Sequence, residues 1–301
     1  MKKCGNTKQL IYAYDIQFTS GIEAGKRAII AANGKTEICV GVDNGLDILW
    51  ARYCGTNLSF LSKNGLNNRI GTFANRFDGG MLYTCGLDNV SGCVEGAPIH
   101  GSHHLTPAEN VNIQYSPETV TISGIIRYTM LFGISLELRR SITVTSCGFE
   151  IKDSVVNTGY VNGRYCLLYH INFGYPMLDG DAKIRLNCEK SEGLTEKAQN
   201  NIAEAFNITE PEDYNPEEVY YHSLKEGWAE LVNPNLPFKA RIDFSLDTLP
   251  VFVEWKSMQS GDYALGLEPA STRFDTFKQK EIKPGEQVDY KVCITLIDDK
   301  K

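Results

Sequence analysis

The sequence predicts an all-β protein, a large antiparallel β-sandwich built as a single domain over residues 1–301. Short runs of alternating or β-branched residues recur along the chain, and turn-forming residues separate them, which is typical of antiparallel sheets. We find no internal repeat and no linker rich in proline and serine. Two packed sheets are favoured at this number of strands, because a single open sheet curls or splits as it grows.

The first predicted elements form a hairpin. Residues 27–31 and 36–42 flank Asn33-Gly34, in which glycine readily supplies the positive φ of a tight turn. The middle of the chain is predicted to hold strands at residues 111–115, 119–126, 135–144 and 149–156, the last two joined by a turn at 145–148. The final strands are predicted at residues 241–246, 251–255 and 287–296.

One segment departs from the strand pattern. Residues 191–220 are polar, and their first half is rich in residues that favour helices. We therefore expect a short helical and loop insertion on the rim of the sheets. A surface insertion without a functional role is preferred over an active-site lid, because long loops are only sometimes functional.

Charge and hydropathy narrow the possible partners. The formal net charge is −7 at pH 7, and an acidic chain disfavours nucleic acid and anionic membranes, which reward clustered lysine and arginine. No apolar run approaches the ~20 residues that span a bilayer, and no apolar signal segment follows the N-terminal lysines. We expect a cytoplasmic protein, monomeric or homodimeric, that binds neither nucleic acid nor membrane.

The nine cysteines indicate the same compartment. Their number is odd, no Cys-x-x-Cys pair occurs, and most lie in apolar runs such as residues 37–40. A secreted disulfide scaffold is shorter and richer in cysteine. The sequence therefore predicts free, buried thiols.

Histidines mark two candidate parts of a site. His100, His103 and His104 fall within one segment, and His170 follows a hydrophobic run. Glycine and proline punctuate both segments, so His100 and His170 are expected where a strand meets a turn and presents a side chain to a ligand. For each, the alternative is a structural histidine held by hydrogen bonds.

A carboxylate and an arginine complete the candidates. Glu268 follows an apolar run and precedes Pro269, and such surroundings should raise its pKa toward the range of a general base. Arg76 and Asp78 stand among aromatic residues before a glycine pair, and the fork of donors on an arginine can hold two sugar oxygens. The competing interpretations are a strand-end carboxylate for Glu268 and a surface ion pair for Arg76 with Asp78.

Short motifs along the whole chain carry a family resemblance. They are Gly45-Leu46-Asp47-Ile48, Asn75-Arg76-Phe77, Thr84-Cys85-Gly86-Leu87, Ile99-His100-Gly101, Tyr169-His170-Ile171-Asn172-Phe173-Gly174-Tyr175-Pro176 and Gly266-Leu267-Glu268-Pro269. In this order they resemble motifs of the aldose 1-epimerases, the galactose mutarotase-like group, and of a poorly characterised branch of that group in particular.

The resemblance implies a role for each matching residue. Glu268 corresponds to the general base and His170 to the general acid, while His100 and Arg76 correspond to residues that hold the sugar. Asn172 stands where the family usually has an aromatic residue.

Four further substrate contacts are predicted. They are assigned to Asp78, Asn172, His104 and Trp255, with Trp50 as the alternative to Trp255 for stacking on the apolar face of the sugar.

The implied reaction interconverts the α and β anomers of a free aldose, without metal or other cofactor. A base takes the proton of the anomeric hydroxyl while an acid protonates the ring oxygen, and the ring then closes from the opposite face. We expect Glu268 and His170 to face each other across a concave sheet surface, with a sugar-sized gap between them. The motifs lack a basic cluster, which disfavours a phosphorylated sugar.

Other classes of function stay open. A metal-dependent sugar isomerase could use His100, His103 and His104 with Glu109, since imidazole and carboxylate suit zinc, manganese or iron. A non-catalytic carbohydrate-binding module would keep the fold without turnover, because fold does not imply activity. A lyase or hydrolase on the same scaffold is the last alternative.

Overall fold

The computed structural model describes residues 3–92, 96–274 and 278–298. Within these ranges the chain forms eighteen β-strands, which confirms the all-β class. The first nine are β1 (Ile11–Gln17), β2 (Arg27–Asn33), β3 (Thr36–Gly41), β4 (Asp47–Tyr53), β5 (Thr56–Asn57), β6 (Leu82–Leu87), β7 (Glu109–Tyr115), β8 (Val120–Thr129) and β9 (Ser135–Thr145). The others are β10 (Gly148–Asn157), β11 (Gly163–Phe173), β12 (Lys183–Gly193), β13 (Glu218–Val232), β14 (Phe238–Phe244), β15 (Val251–Gln259), β16 (Asp262–Ala270), β17 (Lys280–Ile282) and β18 (Gln287–Asp298).

Helices are few and short. They are α1 (Phe73–Arg76) and α2 (Glu196–Asn200), with 3₁₀ turns at Thr7–Gln9, His103–Leu105 and Ile202–Glu204. Across the three described ranges, every helix is too short or too polar to cross a lipid bilayer.

The strands form two sheets. The smaller sheet has five strands in the order β1-β2-β3-β4-β5. The larger has thirteen strands, of which eleven follow the order β17-β11-β16-β15-β13-β14-β18-β10-β9-β8-β7, while β12 pairs with β13 and β6 pairs with β11. All the strand pairs named here are antiparallel. The hairpin predicted around Gly34 is confirmed, with Asn33 paired to Thr36.

The hydrophobic core lies between the two sheets. Leu138 and Ile142 of β9 are fully buried in one cluster with Ile29 and Val40 of the smaller sheet. Alternation along β9 turns Arg139 outward, because successive side chains of a strand point to opposite faces. This packing of two inner faces makes the molecule a β-sandwich, as the strand pattern predicts.

The predicted insertion is present but shorter than expected. Residues 194–217 join β12 to β13 and hold α2, whose N-terminus is capped where the Thr195 hydroxyl accepts a hydrogen bond from the Ala198 amide. Residues 191–193 belong to β12 and residues 218–220 to β13. Most of β12 is exposed or half-buried, so its sequence lacks the apolar alternation that would mark a strand.

A buried ion-pair network links five strands, β4, β6, β9, β10 and β11. The guanidinium of Arg140 donates to Asp47 and to Asp153, at 2.7 Å in each case. The Thr84 amide donates to Asp47 at 2.8 Å, and the Tyr169 hydroxyl donates to Asp153 at 2.8 Å. Three of the motifs that carry the family resemblance therefore supply residues that hold the strands together.

The cysteines match the prediction only in part. Cys93 lies outside the described residues, and the other eight are free thiols. Cys39, Cys85 and Cys166 are buried, whereas Cys54 and Cys147 lie exposed in turns between strands.

Candidate active site

The candidate site is built on the larger sheet, where β6, β11, β16 and β15 lie side by side. The register that pairs Ile171 with Leu267 sets His170 of β11 opposite Glu268 of β16, and Glu268 pairs in turn with Val253 of β15. Directly opposite residues project from the same face, with Cβ atoms ~5 Å apart. Strand register therefore brings the imidazole and the carboxylate together.

His170 and Glu268 are in direct contact. Nε2 of His170 lies 3.1 Å from Oε1 of Glu268, and both buried side chains line one cavity. This contact does not have hydrogen-bond geometry, so the oxygen has no hydrogen-bond partner among the described residues. The two groups thus stand side by side, and not across the sugar-sized gap expected from the sequence.

Burial sets the protonation of this pair. Burial, reinforced by the charge of Glu217, raises the pKa of Glu268 well above its usual range, as its apolar surroundings predict. Burial and the neighbouring His100 lower the pKa of His170 to about 3, although a hydrogen bond to Asn172 opposes this shift. Both directions favour a protonated carboxyl beside a neutral imidazole.

Asn172 orients the imidazole from behind. Its Oδ1 accepts a hydrogen bond from Nδ1 of His170 at 2.5 Å, while its Nδ2 donates to the carbonyl oxygens of Gly80 and His170, at 3.1 Å each. With the hydrogen on Nδ1, Nε2 of the neutral ring carries a free lone pair that can accept a proton. The structure places Asn172 behind His170 and not among the residues that line the cavity, so direct contact with substrate is not supported for it.

Gly266 leaves the space that this pair occupies. It lies between Asn172 of β11 and Trp255 of β15 in the cross-strand register. A Cβ atom at position 266 would lie 2.2 Å from Oε1 of Glu268 and 3.2 Å from Cε1 of His170. The glycine of the Gly-Leu-Glu-Pro motif is therefore required by the carboxylate two residues later.

The pair opens onto a cavity of about 460 Å³, within the range of small-molecule sites. Its aromatic walls are formed by Phe60, Phe73, Phe77, Trp255 and Phe274. The ring centroid of Trp255 lies 5.5 Å from that of His170. Trp50, the alternative stacking residue, packs instead in a cluster on the smaller sheet.

His100 lines the cavity and Arg76 lies beside it. His100 has a φ of 61°, its Nδ1 is 3.4 Å from the Val90 carbonyl oxygen, and its ring packs against Phe73 with centroids 4.7 Å apart. Burial lowers the pKa of His100 to about 4, and the charge of Arg76 adds to this effect. The Arg76 guanidinium lies 5.8 Å from the centre of the Phe73 ring and is not among the lining groups.

His104 and Asp78 lie behind the cavity wall. The imidazole of His104 sits between Asp47, at 2.8 Å, and Asp78, at 3.2 Å, and stacks on Tyr83 with centroids 4.0 Å apart. Although burial alone lowers it, these two carboxylates raise the pKa of His104 to about 9. The structure therefore places both predicted sugar ligands in the buried network, and neither is among the residues that line the cavity.

The clustered histidines do not converge on one point. His100 faces the cavity, Nε2 of His103 lies 3.0 Å from the Gly45 carbonyl oxygen, and His104 is held by carboxylates. Glu109 is exposed on the surface. Within the described ranges, no three side chains of the types His, Cys, Asp or Glu are placed to hold a metal. The geometry thus offers no support for the metal-dependent alternative.

Sequence reasoning missed two acidic residues of the cavity. Glu217, the last residue of the insertion, accepts a hydrogen bond from Nε1 of Trp255 at 2.8 Å. Asp262, at the start of β16, pairs with Lys63 at 2.7 Å. The segment that contains Glu268 also contains Asp262, which was an available signal. The sequence contains no such signal for Glu217, because its position at the cavity depends on the pairing of Val219 with Trp255.

The architecture is that of the galactose mutarotase-like proteins. A candidate aldose 1-epimerase from Klebsiella pneumoniae matches with a TM-score of 0.85 at 18% identity, covering 97% of this chain and 88% of its own. A galactose mutarotase-like protein from Clostridium acetobutylicum matches with 0.75 at 15% identity, covering 96% and 99%. A candidate aldose 1-epimerase from Escherichia coli K12 matches with 0.65 at 15% identity, covering 91% and 100%. At these identities the likeness establishes the fold alone.

Within this class, the chain belongs to the family described as a domain of unknown function (DUF4432), whose model matches residues 23–292. No curated protein matches the chain at a significant level of sequence similarity. The family match and the structural neighbours together agree with the branch that the sequence motifs indicate.

Proposed function

We propose that this protein interconverts the α and β anomers of a free aldose by general acid–base catalysis at His170 and Glu268. The observation that carries the proposal is the contact between these two groups on the wall of a cavity, with one carboxyl oxygen lacking a hydrogen-bond partner among the described residues. A buried polar atom of this kind is costly unless something pairs with it, and a sugar hydroxyl can do so.

The two groups together supply one acid and one base. Starting from the protonated carboxyl and neutral imidazole, Nε2 of His170 takes the proton of the anomeric hydroxyl as Glu268 gives its proton to the ring oxygen. The bond between C1 and the ring oxygen breaks, and the aldehyde end turns. Closure from the opposite face then returns both protons by the reverse transfers.

This assignment exchanges the roles that the family resemblance implies for ring opening. The reason is electrostatic, since burial favours the proton on Glu268 and disfavours it on His170. An acid and a base in direct contact suit the opening of the sugar ring, because the ring oxygen and the anomeric hydroxyl are bonded to the same carbon. Each positioned group is expected to contribute ~10² to 10⁴ in rate.

The test replaces Glu268→Gln and measures anomer exchange by saturation-transfer NMR over a panel of free aldoses. We expect the exchange rate to fall by about 10² to 10⁴, because the amide keeps the shape but cannot cycle a proton. Glu109→Gln, on an exposed surface carboxylate, serves as the matched control and should keep the wild-type rate.

Two outcomes would contradict the proposal. Wild-type exchange in a correctly folded Glu268→Gln protein would remove this residue from the mechanism. Sugar binding by calorimetry without exchange of any sugar in the wild-type protein would select the non-catalytic carbohydrate-binding module instead.

A further inference from the structure

We infer that the cavity discriminates between sugars by charge, and that Glu217 is the specificity-determining residue: it favours uncharged and amino sugars and disfavours sugars carrying phosphate or carboxylate. The inference rests on the proposed function for the identity of the ligand as a sugar. It follows from the balance of charges around the cavity.

The lining residues carry one uncompensated charge among those that the structure describes. Lys63 is salt-bridged to Asp262, so these two charges offset each other. Burial raises the pKa of Glu268 and lowers the pKa values of His100 and His170, which favours the uncharged form of all three side chains. The carboxylate that is left is Glu217.

The position of Glu217 makes its charge effective inside the cavity. One of its oxygens is held by Nε1 of Trp255 at 2.8 Å, which fixes the carboxylate against the wall. Its charge is also close enough to raise the pKa of Glu268. Glu217 is exposed, so water screens part of its charge, but the mostly apolar walls of the cavity screen a bound charge less than water does, and a like charge on the ligand is repelled.

The same walls are favourable for a cation. A ligand ammonium is attracted by the faces of phenylalanine and tryptophan rings, and five such rings line the cavity. Arg76 is a neighbouring cation that could favour an anion instead. It lies at the His100 end, outside the lining, with its guanidinium over Phe73.

The test measures binding by calorimetry, so that it does not depend on turnover. The probes are D-glucose and D-galactose, their 2-amino and 6-phosphate derivatives, and the two uronic acids. We expect the phosphates and uronic acids to bind at least ~10-fold more weakly than the neutral parents, and the amino sugars at least as tightly. Glu217→Gln should remove most of this difference. Asp213→Asn, an exposed carboxylate of the same insertion outside the cavity lining, should leave it in place.

The outcomes separate this inference from the proposed function. Equal binding of neutral and anionic probes, tighter binding of the anions, or discrimination that survives Glu217→Gln would overturn the role of Glu217. Binding that discriminates by charge but shows no anomer exchange would overturn the isomerase and leave the charge selectivity intact. Failure of every probe to bind would overturn both.

Discussion

At the scale of single residues, the site depends on how little room surrounds the Glu268 carboxyl. Oε1 lies 3.1 Å from the imidazole of His170, and it fills the space that a side chain at position 266 would need. Because Asn172 holds the opposite edge of the ring, the imidazole cannot turn away without losing its hydrogen bond. The pair is therefore held in place from two sides.

The first prediction concerns Gly266→Ala. The added methyl group would lie 2.2 Å from Oε1, and the carboxylate is the flexible end of its side chain, so it should move while the backbone stays. We expect anomer exchange to fall by at least ~10-fold, since small misplacements of a catalytic group are costly. Saturation-transfer NMR measures the rate, and circular dichroism confirms the fold.

Gly5→Ala is the matched control for this substitution, because a Cβ at that position meets nothing within 4 Å. Wild-type exchange in a folded Gly266→Ala protein would show that the position of the carboxylate does not limit the reaction.

The sequence could identify His170 and Glu268 because each belongs to a motif with unusual neighbours. It could not show that they touch, since the contact depends on the register between β11 and β16, which are far apart along the chain. The sequence also could not show that Asp78 and His104 lie away from the cavity lining. Their surroundings are non-local, and Tyr83 lies between His104 and the cavity residue Phe77.

At the scale of elements, the buried network replaces part of the hydrophobic core. The side chains of Arg140, Asp47 and Asp153 are fully buried, so none of these charges is compensated by water. Breaking a buried pair by removing one partner is strongly destabilising, because it leaves the other charge unpaired. The Arg140 guanidinium bonds directly to side chains on three other strands, β4, β6 and β10, and it is linked to β11 through Asp153.

The second prediction therefore compares neighbouring arginines of β9. Arg140→Met should lower the free energy of unfolding by about 3–5 kcal/mol, because Asp153 loses its arginine partner and Asp47 keeps only His104 as a cationic neighbour in contact. Arg139→Met, at a half-exposed surface pair with Glu137, should cost less than about 1 kcal/mol. Urea denaturation measures both values. Equal losses in the two variants would show that the buried network contributes no more than a surface pair.

The elements that sequence predicted well are those with local signals. The hairpin at Gly34 and the strands β8 to β10 have alternating residues and short turns, so neighbouring sequence determines them. The sequence pattern assigns residues 191–193 of β12 and residues 218–220 of β13 to the insertion, because neither short segment shows the alternation of a strand on its own. These residues form strands because β12 pairs with β13, and their amino-acid composition alone does not indicate this pairing.

At the scale of the whole molecule, the charged state of His104 links stability to pH. Its pKa is raised from 6.5 to about 9 in the folded protein, where Asp78 and Asp47 outweigh the effect of burial. A raised pKa gives stability that is fully present below pH 6.5 and is lost as the pH rises through 9. Folding is therefore coupled to a proton held inside the network.

The third prediction is that His104 contributes a loss of about 3 kcal/mol in the free energy of unfolding between pH 6.5 and pH 9, measured by urea denaturation as the difference between the wild type and His104→Asn, because the lowered pKa values of His100 and His170 act in the opposite direction. His104→Asn should be less stable at pH 6.5 and should show a flatter dependence on pH across this range. An unchanged slope in the variant would assign the pH dependence to other groups.

Glu217 and the pair formed by His170 and Glu268 come from parts of the chain that can vary separately. The pair is embedded in two interior strands, whereas Glu217 closes the surface connection of residues 194–217. Surface connections tolerate changes of length and composition that sheet interiors do not. Related proteins could thus come to bind different sugars through sequence changes in this connection, while His170 and Glu268 keep the same reaction.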